Sequence, residues 1–133
     1  MILPEWMFKR RNKRYELADS GYKNIMNVPC LSGCFMFFRT STLQECGLFD
    51  ERYFMYAEDF DLTRRIHRRF KTLFFPNVSI FHKFNRGSHR SLRLFLIHTM
   101  SMVRYFNKFG WFYDKERHHF NRQLLQEIKK LSK

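Results

Sequence analysis

The chain has 133 residues, of which 44% are hydrophobic and 17 are Phe, and it carries 25 Lys+Arg against 12 Asp+Glu. That length holds one domain with a real core but is short for an enzyme with two substrates, and the apolar content excludes a disordered chain despite a net charge of +13. The charge favours polyanionic partners, whether nucleic acid, anionic lipid or a nucleotide diphosphate, and does not choose among them.

Residues 1–27 are basic and aromatic without clear period, and read as a loop or short helix with a turn at Asp19, Ser20 and Gly21. Trp6, Met7 and Phe8 precede the basic residues, the reverse of a signal peptide. The three cysteines, Cys30, Cys34 and Cys46, form no C-x-x-C pair, and their odd number suits reduced thiols in a cytoplasmic protein.

Val28 to Arg39 (VPCLSGCFMFFR) carries a dense apolar run, Cys34 to Phe38, too short for a helix and read as a buried strand. Gly33, just ahead of it, marks either a close backbone approach by a ligand or a simple bulge or turn. Thr40 to Cys46 reads as a short helix, with capping-box spacing at Ser41/Gln44 or Thr42/Glu45 and Gly47 as its stop.

Glu58, Asp59 and Asp61 then open a helix predicted to run to about Phe70, with Leu62, Ile66 and Phe70 on one face and Arg64, Arg65, Arg68 and Arg69 elsewhere. Acid at the start and base at the end complement the helix dipole, and Asp61 and Arg65 have i,i+4 spacing. Acid is scarce in this chain, and a cluster of it beside Phe54, Met55 and Tyr56 admits two readings. One is structural capping, which composition alone favours. The other is a general base, since clustered carboxylates raise the pKa of one member.

Lys71–Phe75 and Val78–His82 read as two extended pieces separated by a turn at Pro76 and Asn77, so that His82 ends a strand. Phe84 to Ser91 is a polar loop suited to phosphate or to solvent. A broad apolar stripe from Ser91 predicts a helix ending at Gly110, and Glu116 to Lys133 predicts a second amphipathic helix. The run Leu92 to Val103 is interrupted by Arg93, His98, Thr99 and Ser101 and is too short to span a bilayer.

Between Gly33 and Ser88, the blocks SGCFMFFR, CGLFDERYFMYAEDFDLTRRIHRR and FKTLFFPNVSIFHKFNRGS follow one another in order. In these blocks the chain resembles the second half of family 2 glycosyltransferases, inverting enzymes of the GT-A fold, and rhamnosyltransferase-like members above all. The resemblance implies an α/β, partial GT-A domain. Residues 1–27 form its lead-in, 28–90 its acceptor-side half and 91–133 a C-terminal pair of amphipathic helices. It implies that Asp59 acts as or positions the general base for the acceptor hydroxyl, with Glu58 and Asp61 as flanking acids. Ser32 and Gly33 then line the sugar and acceptor space, and His82 stands where some members place a ligand to divalent metal, Mn²⁺ or Mg²⁺. The implied partners are a nucleotide-sugar donor and a glycan or lipid-linked acceptor, met in the cytoplasm or at the inner face of a membrane.

The family's nucleotide-binding half and its D-x-D motif have no counterpart in these residues. The one D-x-D, Asp59-Phe60-Asp61, lies inside the acceptor-side block. The isolated chain is therefore expected not to transfer sugar. The rival reading is a basic nucleic-acid-binding or membrane-surface module without enzymatic activity. The aromatics read mostly as core, so no specific nucleic-acid partner is expected.

Overall fold

The computed structural model describes residues 13, 15–83 and 91–131. The basic stretch up to residue 12 and the polar loop over 84–90, with its expected phosphate contact, lie outside the described residues. The fold is mixed α/β and mostly helical: a 3₁₀ turn (Ala18–Ser20), β1 (Met26–Asn27), α1 (Thr40–Cys46), α2 (Glu58–His67), β2 (Leu73–Phe74), α3 (Leu92–Phe109) and α4 (Lys115–Leu131).

The strands form one antiparallel pair, with Met26 opposite Phe74 and Asn27 opposite Leu73. Polar bonds prolong it. Val28 N–H donates to the Thr72 carbonyl at 2.8 Å, and Thr72 N–H to Asn27 Oδ1 at 2.9 Å. The Thr72 hydroxyl gives its one proton to the Val28 carbonyl, so the 2.6 Å contact between Thr72 Oγ1 and His67 Nδ1 requires the imidazole to donate. This sets the His67 tautomer, and the ring lies edge-on to Phe120. Burial lowers the His67 pKa, against the raising influence of Glu116.

Buried apolar side chains gather in two clusters. In one, Leu124 and Ile128, i,i+4 neighbours on α4, pack on Met26 and Val28. In the other, Tyr53, Ala57 and Tyr105 are covered by Phe60, Met102, Phe106 and Phe109. Helix α2 supplies Leu62 and Ile66, the i,i+4 pair expected of its inward face, and both are buried.

Helix α1 has the predicted bounds, but not the predicted cap. Its N-cap is Arg39, with no side-chain cap, and backbone bonds from Thr42 and Leu43 to the Arg39 carbonyl start it. Gly47 ends it with φ 81°, in the left-handed region glycine favours. Helix α2 stops at His67, short of Phe70. Ser91 caps α3, accepting from Leu94 N–H at 3.5 Å, and Gly110 follows its end.

Two strand expectations fail. Cys34–Phe38 has no ladder partner, and Phe35 and Phe37 are exposed. Val78–His82 is likewise outside any strand, with Val78, Ile80 and Phe81 exposed. The reason is common to both: a strand exists only with a neighbour to satisfy its backbone, and no described element pairs with either run.

Candidate functional site

The site is built where the loop over 47–57 enters α2. Tyr56 and Ala57 both adopt left-handed backbone (φ 67° and 65°), a conformation costing non-glycine residues on the order of 1–3 kcal/mol each. Helix α3 holds them there. Ser101, buried, donates to the Met55 carbonyl at 2.7 Å; Arg104 donates to the Arg52 carbonyl at 2.6 Å; and Tyr56 lies edge-on to His98. The double turn makes Ala57 the N-cap of α2 and brings Glu58 and Asp59 to its first turn.

Asp59 is fixed through both carboxylate oxygens. Oδ2 accepts from Gly33 N–H at 2.8 Å and Oδ1 from Phe60 N–H at 2.8 Å. The Thr63 hydroxyl donates to the Asp59 carbonyl at 2.7 Å, in the next turn of α2. Gly33 fits because it lacks a side chain: a Cβ there would lie 3.1 Å from Asp59 Cβ and 3.3 Å from Oδ2. Two residues 26 apart in sequence are thus joined at one wall of an open cleft of about 760 Å³, lined also by Met36, Phe38, Tyr53 and Glu58.

Glu58 stands beside them with Oε2 buried and, among the described residues, without a hydrogen-bond partner. Burial raises its pKa, and the charge of Asp59 adds a smaller push in the same direction. Desolvation is the larger cause of this rise, ahead of like-charge repulsion.

Asp61 turns the other way. It is fully buried, bonded to Arg65 Nε at 2.8 Å, the i,i+4 partner its spacing predicts, and to Lys108 Nζ. Arg65 also donates to the carbonyls of Cys46 and Leu48, tying the end of α1 to α2. Ser32 is exposed and accepts from Cys34 N–H at 3.4 Å, beside the Gly33 contact.

His82 is exposed, beyond β2. Among the described residues no group of three or more His, Cys, Asp or Glu side chains is arranged to hold a metal ion. Among the described residues His82 therefore stands without the further carboxylate or imidazole groups that would complete a divalent-cation site.

Sequence reasoning missed a further acid of the cleft, Asp50. It is clasped by Arg52 through two bonds of 2.8 and 2.6 Å and by Lys108 at 2.9 Å. The Arg52 hydrogen bonds hold its pKa well below the usual carboxylate range; burial opposes them and Lys108 assists. The sequence signal was only the D-x-R spacing at Asp50 and Arg52. Also missed was buried Arg64, which bonds both oxygens of Asp114 (2.7 and 2.6 Å) and Glu116 (2.8 Å) and lies over the Phe109 ring, 4.3 Å from its centroid. Burial alone would raise the carboxyls of Asp114 and Glu116, but their arginine hydrogen bonds prevail and both lie low. Asp114 Oδ1 also accepts from Arg117 N–H at 2.9 Å, capping α4, a role its place before the helical pattern would have suggested.

No family model matches the chain, and no solved structure matches it. It is 40% identical over 78 residues to N-acetylglucosaminyl-diphospho-decaprenol L-rhamnosyltransferase of Mycobacterium tuberculosis, in both strain CDC 1551 and strain H37Rv. The matched stretch covers 58% of this chain and 24% of that enzyme, so the chain spans about a quarter of the length of these relatives. The likeness supports glycosyl transfer in general and no finer assignment.

Proposed function

We propose that this chain is the acceptor-side part of an inverting glycosyltransferase of the GT-A type, family 2. In this reading Asp59 is the base that takes the proton of an acceptor hydroxyl. The observation that carries it is the clamp of Asp59 by Gly33 N–H at the wall of the cleft. A base must be held within hydrogen-bond reach of its proton, and two backbone donors fix this carboxylate's plane while leaving a lone pair on each oxygen for a substrate. Glu58, whose pKa burial raises, flanks the base and contacts the acceptor. Gly33 gives the acceptor close access to the backbone, and Asp61 keeps α2 in position from within.

The relative's name supports an acceptor of the sugar-diphosphate-lipid class and a nucleotide-linked sugar as donor. A divalent cation belongs to the same proposal as a partner of the donor. The test is a chimaera of the mycobacterial rhamnosyltransferase carrying this chain's segment in place of its matched 78 residues. It is expected to transfer sugar to its lipid-linked acceptor and to lose transfer with Asp59→Asn. Near-normal transfer in the Asp59→Asn form would remove the base assignment.

A further inference from the structure

Helix α3 has two apolar faces, and among the described residues only one of them is packed against the fold. Its inner face buries Ser101 and Tyr105 and packs Met102, Phe106 and Phe109 around Tyr53 and Ala57. At 100° per residue, Leu92, Leu96, Met100 and Val103 fall within roughly 80° of arc on the opposite side. All four stay exposed, with Leu92 at 75%, Leu96 at 52% and Met100 at 53%. Phe54, 74% exposed, joins Leu92, Leu96 and Met100 along an open groove of about 670 Å³, which Arg93 and Arg104 also line. None of the 18 residues of α3 is Asp or Glu.

We propose that this outward face seats the chain on an anionic lipid surface, with the helix lying in the plane of the headgroups. An aliphatic spine beside arginines, on a helix free of acid and in a chain of net charge +13, is complementary to acyl chains beneath anionic headgroups. A second copy of the chain is a poorer occupant, because it would set Arg93 and Arg104 against their own kind. Nucleic acid calls for successive aromatic stacking platforms among the cations, and this groove offers one, Phe54, beside a spine of Leu, Met and Val. No helix among the described residues is long and apolar enough to cross a membrane, so the contact is one of surface docking. The proposal stands apart from the glycosyl-transfer reading, because its test needs neither donor nor acceptor.

The test is sedimentation of the chain with phosphatidylcholine vesicles, with and without phosphatidylglycerol, at low and moderate salt. The chain is expected to partition onto the phosphatidylglycerol-containing vesicles and to stay bound at moderate salt. Leu92→Ser with Leu96→Ser should lower partition by at least about tenfold, and Arg93→Gln by about fivefold. Met100→Gln serves as a milder second variant, and circular dichroism checks that each remains folded. Unchanged binding in the folded double variant, or in folded Met100→Gln, would overturn the proposal. So would release from vesicles by duplex DNA in wild type and double variant alike, or a chain whose double variant loses self-association while vesicle binding is unaltered.

Discussion

A methyl group added at Gly33 would sit 3.1 Å from Asp59 Cβ, closer than ordinary packing allows. Gly33→Ala is therefore expected to push Asp59 aside and weaken the 2.8 Å bond that fixes it, costing roughly 1 kcal/mol by the scale of overpacking. Thermal unfolding measures the cost; loss of protection of the Gly33 position amide in hydrogen exchange reports the broken clamp. A midpoint and exchange pattern like wild type would mean the contact is slack. Arg64 and Asp114 make the opposite kind of pair, both buried and doubly bonded. Removing one partner leaves a buried charge, so Asp114→Ala should cost about 3 kcal/mol and lower the melting temperature by roughly 10 °C. Gly33 and Asp59 were legible as site candidates from their motifs. That Asp61 faces inward was only half legible, since its spacing announced Arg65, but Lys108 lies 47 residues away and sends no local signal.

At the scale of elements, the helices were readable, and of the strands only β2, which lies inside the extended piece read at Lys71–Phe75. α1 announces itself by its Gly47 stop, and α3 and α4 by a period of 3.6, all properties of the local chain. β1 is two residues long and carries no pattern; it exists because Phe74 and α4 meet Met26 from either side. Cys34–Phe38 has the composition of a strand and lacks the neighbour that would make it one. The left-handed entry to α2 was equally invisible, because it is imposed by α3 through Ser101. Ser101→Ala should thus cost about 1–2 kcal/mol by leaving the Met55 carbonyl unpaired. It should also loosen residues 55–57, raising amide exchange there more than in β1. Uniform exchange across both regions would contradict this coupling.

For the whole molecule, the lowered groups point one way with pH, and the raised carboxyl of Glu58 opposes them. Asp50, Asp114 and Glu116 have depressed pKa values in the folded state, so the unfolded chain binds protons first and their stabilisation is lost as pH falls below about 4. His67 is also depressed: its contribution is whole above about pH 6.5 and declines below it. Melting temperature should fall gently from neutral pH towards pH 5 and steeply below about 4, and His67→Gln should flatten the upper limb. A stability that rose on acidification would reverse the sign for these groups. The scaffold so tuned places a fixed Asp59 at an open cleft and a buried Asp61 behind it. The most direct measurement compares Asp59→Asn with Asp61→Asn in the active chimaera, by kcat, KM and melting temperature. The expected result is a fall in kcat of roughly 10²–10⁴ for Asp59→Asn with its melting temperature near wild type, and a loss mainly of stability for Asp61→Asn. Retained kcat in Asp59→Asn, with the larger kcat loss in Asp61→Asn, would contradict it.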